Sequence, residues 1–214
     1  MAKKKEKATD AVVTDAVIRV KGKFKVKPGK AAEVSSSEVA YTGPLFKVIK
    51  EQVHEPGVKP VERDIIRHNG SVVILAVDDT KSKKDPLIVI ERQYRHAASQ
   101  YLYEVPAGKV DAGEDRLAAA KRELIEETGF RAKKWTKLTR YFASPGFLGE
   151  WMQVYLAEGL TPGAAQPEPD ERIQIYLVPL SEVLRLIDEG EIRDGKTLVS
   201  VMLYARRRAG KKKR

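Results

Sequence analysis

The stretch 114–129, EDRLAAAKRELIEETG, constrains this chain more than any other. It is rich in strong helix formers and stops at Gly129, the residue type best suited to a left-handed helix end. At about 100° per residue, with Glu123 at zero, Glu127 falls near 40° and Glu126 near −60°, so three carboxylates share a sector roughly 100° wide. Ala119 and Ala120 lie in or beside that sector one turn earlier and leave the approach open. Leu117 and Leu124 point away, at about 120° and 100°, toward a sheet. Like charges at these spacings cost a few tenths of a kcal/mol each. On its own the face also reads as a solvated helix, with Arg122 pairing to Glu126 one turn on. Immediately upstream, however, PAGKVDAGE turns sharply through Gly108 and Gly113 and delivers Glu114 to the helix entrance. Hard oxygen donors one helical turn apart suit Mg2+, which takes few carboxylates together with phosphate and water.

The rest of the chain alternates strand-like and helical patterns, and no internal repeat is apparent. Val39 to Val53 reads as one or two strands with a turn at Gly43-Pro44. Arg63 to Arg67 follows, then SVVILAV from Ser71, a run expected to be buried on both faces. DDTKSKKD is a hairpin-like loop, PLIVIERQYR a returning strand, and Tyr101 to Pro106 a short one. After the long helix come strands near Lys137 to Ala143 and Met152 to Ala157, then the loop GLTPGAAQPEPDE. Ile173 to Val178 is a last strand. Ser181 is expected to cap a second helix, SEVLRLIDEGE, and Leu198 to Arg207 to form a third. Strands mixed with a few helices imply a compact α/β sandwich.

Charge belongs mainly to the ends. The 214 residues carry 40 Lys+Arg against 30 Asp+Glu, a formal +10. Residues 1–30 hold a net +7 and RRRAGKKKR from Arg206 another +7, which leaves residues 31–205 at −4. The expected organisation is therefore a basic tail over 1–38, a catalytic domain over 39–205 with its amino-terminal strands at 39–67, and a basic tail over 206–214. Weak nucleic-acid contact through the tails is possible in principle. It is not favoured, because no aromatics interleave with the basic residues as a stacking platform requires. The chain has no Cys, which removes thiol nucleophiles and cysteine-ligated metals. No apolar run approaches the ~18 residues of a membrane span. The amino terminus lacks the apolar stretch of a secretion signal, so a cytoplasmic location is expected and no membrane partner.

Gly108, five residues, Glu114, seven residues, then Arg122-Glu123-Leu124-Ile125-Glu126-Glu127-Thr128-Gly129-Phe130 resembles the Nudix box, G-x5-E-x7-R-E-U-x-E-E-x-G-U, at every fixed position. The resemblance implies a Nudix-type α/β/α sandwich with a mixed β-sheet, preceded by antiparallel strands. It also implies a Mg2+-dependent hydrolase, with Mn2+ as a possible substitute, acting on a nucleoside diphosphate linked to another moiety. By the same resemblance Glu123 and Glu127 contact metal, Arg122 orients the glutamates, and Glu126 belongs to the catalytic face.

The flanks are similar to the ADP-ribose pyrophosphatase branch of that family. ERQYRHAASQYLYEVPAGKV precedes the box, SPGFLGE follows with Pro145 fifteen residues after Phe130, and DERIQIYLVPLSEV continues the likeness, which spans about 41–205. This implies hydrolysis of ADP-ribose to AMP and ribose 5-phosphate, with the Ala107 carbonyl as a further metal ligand. Arg95 is then expected on substrate, Ser144 and Glu150 on the terminal ribose side, and His68 facing the ligand. The plainer roles are a strand-end arginine, two loop residues and a structural histidine. Glu104 is expected to hold Arg122. In the acidic loop Glu171 aligns with a metal ligand, while Glu168 and Asp170 flank Pro169 at the place of the catalytic base. The branch also implies a homodimer in which the amino-terminal strands, with Phe46 and Arg63, reach the neighbour's adenine pocket. The alternatives are a Nudix hydrolase of another nucleoside diphosphate derivative, or an RNA-directed decapping protein using the basic tails.

Overall fold

The structure, a computed structural model, describes residues 23–24, 26, 29–44, 46–166 and 172–211. Two sheets organise it. The first is three-stranded and antiparallel, in the order β1 (Glu33–Thr42), β2 (Lys47–His54), β3 (Val61–Arg67). The second is mixed, in the order β10-β5-β4-β9-β8. Its strands are β4 (Ser71–Asp78), β5 (Leu87–Arg95), β8 (Arg131–Phe142), β9 (Trp151–Thr161) and β10 (Gln174–Pro179). Two short strands, β6 (Gln100–Glu104) and β7 (Ala107–Lys109), pair with β5 and β4. The β4–β9 pair is parallel, and the other recorded pairs of this sheet are antiparallel.

The run SVVILAV lies where the sequence places it, at the centre. Its side chains alternate between two cores. Val72, Ile74 and Ala76 pack with Ala119, Ala120 and Leu124 of α1 (Arg116–Thr128). Val73, Leu75 and Val77 pack on the other face with Val183 of α2 (Leu180–Asp188) and Val201 of α3 (Gly195–Lys211). A central strand buried on both faces cannot show polar alternation, which is why the run is continuously apolar.

Several boundaries differ from those read in the sequence, most of them through a partner distant in the chain. β1 begins at Glu33, inside the stretch assigned to the amino-terminal tail, because its backbone pairs with β2 from Glu33↔His54 onward. Ala107–Lys109, expected to be loop, is a strand because it pairs with Ser71–Val73. α2 starts at Leu180 with Pro179 at its cap; Ser181 instead donates its N–H (2.8 Å) and hydroxyl (2.6 Å) to Asp85. α3 starts before Leu198 and runs through Arg206–Arg208 to Lys211, so part of the expected carboxy-terminal tail is helix. Asp194 accepts from the Thr197 N–H at its start, and Arg207 donates to the Leu138 carbonyl near its end. Among the described residues no helix is long and apolar enough to cross a membrane.

Candidate active site

The site is built where α1 faces β7 and the start of β4. Asp115 caps α1, its carboxylate accepting from the N–H groups of Leu117 (2.9 Å) and Ala118 (3.1 Å). Gly129 ends the helix in the left-handed conformation, with φ 74°. Between these ends the helix presents Arg122, Glu123, Glu126 and Glu127 to a cavity of about 630 Å³. Gly108 passes so close to α1 that a Cβ there would overlap the Glu123 carboxylate. Glu127 is buried, and its Oε2 accepts from the Ala107 N–H at 3.1 Å.

Arg122 gathers the acids of the loop and helix. Its Nε and Nη2 donate to Glu114 (both 3.1 Å), and its Nη1 donates to Glu123 (2.8 Å) and Glu126 (2.9 Å). The Glu114 carboxylate holds the guanidinium above its ordinary pKa, with Glu126 and Glu123 adding to it against the opposing effect of burial. Reciprocally, Arg122 holds the Glu114 carboxyl below its ordinary value. The orienting role expected of Arg122 thus has a geometric counterpart.

Glu104 lies elsewhere than expected. It does not reach Arg122. Its carboxylate, 2% exposed, accepts instead from Arg95 Nε (2.9 Å) and Nη2 (2.7 Å) and from the Lys196 ammonium. Burial alone would raise this carboxyl's pKa, and the two cations more than reverse that, leaving it lowered. The sequence offers several arginines for a buried glutamate, and only the β5–β6 pairing, Glu91↔Glu104 to Arg95↔Gln100, selects Arg95.

Also lining the cavity, Ser71 donates to Glu150 at 2.5 Å. His68 Nδ1 accepts from the Gly70 N–H at 3.0 Å and lies 3.7 Å from the Glu150 carboxylate. His68, Arg95, Ala107 and Glu150 therefore line the same cavity as the helix acids. Ser144 does not line it; its carbonyl accepts from Leu148 at 2.9 Å and shapes the turn before Glu150. Phe46 lies in the turn before β2, beside Tyr41, and Arg63 sits on β3 opposite Glu51. Glu168, Asp170 and Glu171 lie outside the described residues. Gln166, the last described residue before them, donates its N–H to the Glu126 carbonyl of α1 at 2.8 Å. Lys196 and Ser71 are wall residues that sequence reasoning missed. Neither sits in a recognisable motif, and Lys196 meets its partner Glu104 across 92 residues.

Among the described residues no three acidic or histidine side chains already converge as a metal-binding group. Arg122 occupies the gap between Glu123 and Glu126. The donor chemistry nevertheless fits a hard divalent ion. Glu123 against Gly108 and Glu127 beside Ala107 put carboxylate oxygens next to a backbone strand, with space left for phosphate and water.

A NUDIX domain model matches residues 67–200 of the chain. The chain is 36% identical over 168 residues to an ADP-ribose pyrophosphatase of Bacillus subtilis, covering 78% of this chain and 88% of that relative. It is 38% identical over 175 residues to an ADP-ribose pyrophosphatase of Mycobacterium tuberculosis, covering 79% and 81%. It is also 33% identical over 153 residues to a GDP-mannose pyrophosphatase of Citrobacter koseri, covering 64% and 77%. A crystal structure of an ADP compounds hydrolase shares the fold, with a TM-score of 0.72 at 21% identity over 87% of this chain and 98% of that one.

Proposed function

The chain belongs to the NUDIX domain family and is a Nudix hydrolase, and from that premise we propose that it hydrolyses ADP-ribose to AMP and ribose 5-phosphate with Mg2+. The observation that supports the reading is a single cavity lined both by the acids of α1 and by the cations Arg95 and Lys196. A pyrophosphate needs both, cations against its oxygens and carboxylates to hold the ions that neutralise the rest.

In this reading Glu123, Glu127 and the Ala107 carbonyl hold Mg2+, for which Mn2+ can substitute, and Glu171 adds a ligand from the acidic loop. When bound, the metal withdraws charge from the pyrophosphate and lowers the pKa of water. Arg122 fixes the angle of Glu123 and Glu126, so the catalytic face is set before substrate arrives. Arg95 grips a phosphoryl oxygen. An acid of the loop, Glu168 or Asp170, takes the proton of the attacking water. The new O–P bond forms as the anhydride P–O bond breaks, and the proton stays with that acid until the products leave. Glu150, oriented by Ser71, and His68 face the terminal ribose. The partner is a second copy of the chain, with Phe46 and Arg63 directed to the neighbour's adenine pocket.

The likeness to a GDP-mannose pyrophosphatase supports a second reading, another nucleoside diphosphate sugar as substrate. The full chain with Mg2+ should release AMP from ADP-ribose with a kcat/KM above that for GDP-mannose, other nucleoside diphosphate sugars and capped RNA. A higher value for any of these would transfer the assignment to it.

A further inference from the structure

Lys196 is a lysine where lysines are rarely found. It sits in the first turn of α3, 9% exposed, with its ammonium between Glu104 and Asp194 (3.0 Å to the latter). Burying an ammonium costs several kcal/mol unless anions meet it, and a hydrophobic residue of similar size commonly serves stability as well. The fold nevertheless holds this one firmly. Asp194 also accepts from the Thr197 hydroxyl (2.7 Å), and that hydroxyl accepts from the Val105 N–H (2.9 Å), so the start of α3 is stitched to the strand end beside Glu104.

The same Glu104 oxygen, Oε2, accepts from both Lys196 and Arg95. One buried carboxylate thus holds two cations side by side, and both line the same cavity as Glu123 and Glu127. An ammonium has three donors and a guanidinium five. Among the described residues Lys196 uses two of its donors on Glu104 and Asp194, and Arg95 leaves Nη1 unengaged. The pair is held from behind by carboxylates and keeps donors for an anion in front.

We propose that Lys196 and Arg95, clamped on the shared carboxylate of Glu104, form a subsite that grips one phosphoryl group of the substrate without metal. Lys196 contacts the anion, and Glu104 is the positioning residue for both cations. The inference rests on the pyrophosphatase reading for the identity of the substrate, but the subsite takes a phosphate whatever that phosphate is attached to.

The test uses inorganic pyrophosphate and the full chain in EDTA, where no turnover occurs. Calorimetry should show binding to wild type. Lys196→Met should weaken it roughly ten- to hundredfold, the loss expected for a hydrogen bond to a charged group. Lys196→Arg should recover most of it. With Mg2+ and the true substrate, Lys196→Met should raise KM by a similar factor and change kcat little, a split that a purely structural lysine would not give. In lysine-labelled wild type, the Lys196 side-chain resonance, assigned by its absence from Lys196→Arg, should move on adding pyrophosphate. This keeps the test open if the Met variant fails to fold. Absence of pyrophosphate binding by wild type, unchanged affinity in a folded Lys196→Met, or a stationary Lys196 resonance would overturn the subsite. Preference for a substrate other than ADP-ribose, with these results intact, would overturn only the substrate assignment.

Discussion

At Gly108 the chain uses the absence of a side chain as a structural element. The strand runs against α1 so closely that the space of a Cβ is already filled by the Glu123 carboxylate. Replacing Gly108 by Ala must push that carboxylate or the strand aside. Displacement of a catalytic group by about 1 Å costs on the order of 100-fold in rate, and Gly108→Ala should lose kcat by about that factor while its circular dichroism spectrum stays that of wild type. Unchanged steady-state kinetics would mean that Glu123 is not held by this contact. The Gly was legible in the sequence as part of the box. Its reason was not, because the overlap involves a helix residue fifteen positions on. Glu104 teaches the converse. Its need for a cation was evident from its place at the end of an apolar strand, but which cation meets it depends on register, and the answer was Arg95 and Lys196 rather than Arg122.

α1 is the element on which local and global preferences largely agree. Asp115 caps it, Gly129 stops it, and Leu124 packs on the sheet as expected. Ala119 and Ala120, expected to leave the approach to the acids open, are instead buried against β4, where their small side chains let helix and sheet come close. Asp115→Ala removes the acceptor for two N–H groups and should cost about 1 kcal/mol of stability, read as a lower urea midpoint with an unchanged slope. A shift of the midpoint too small to measure would place the strength of the helix start elsewhere. α2 and α3 were legible as helices and misread at their ends. Asp85 reaches the start of α2 from the loop before β5, and the carbonyls of Leu138 and of the Lys83–Lys84 loop receive Arg207 and Arg208 near the end of α3. Such partners carry no local signal. Composition alone made RRRAGKKKR look like a tail, whereas Arg207 and Arg208 donate to backbone carbonyls of the folded body.

In the whole molecule the amino-terminal sheet stands out. β1 is exposed along all ten of its residues, among them Val34, Val39 and Tyr41, and the sheet meets the main body through few backbone links, such as Gly149 N–H to the Ile66 carbonyl at 2.8 Å. A three-stranded sheet with apolar residues facing water and an open ten-residue edge has the features that favour pairing with another chain. Within the proposed function that chain is a second copy. Sedimentation velocity should therefore give twice the chain's mass, and a Val39→Glu, Tyr41→Glu double variant should sediment as a monomer. A monomeric wild type at micromolar concentration would remove the dimer from the proposal.

The sequence alone determined much of what depends on neighbours along the chain. The stop of α1 at Gly129, the period that turns Glu123, Glu126 and Glu127 to one side, the doubly buried run of β4 and the spacing of the box all follow from local backbone geometry. The start of α3, where Asp194 accepts from the Thr197 N–H, was local too and was not read. Tertiary structure decided what depends on closure. The parallel pairing of β4 with β9, the choice of Arg95 for Glu104, the arrival of Lys196 from α3 and the overlap at Gly108 join segments that share no local signal. The physical reason is range. Backbone geometry is fixed within a few residues, while a buried charge finds its partner only once burial has brought distant segments together and removed the water that would otherwise have met it.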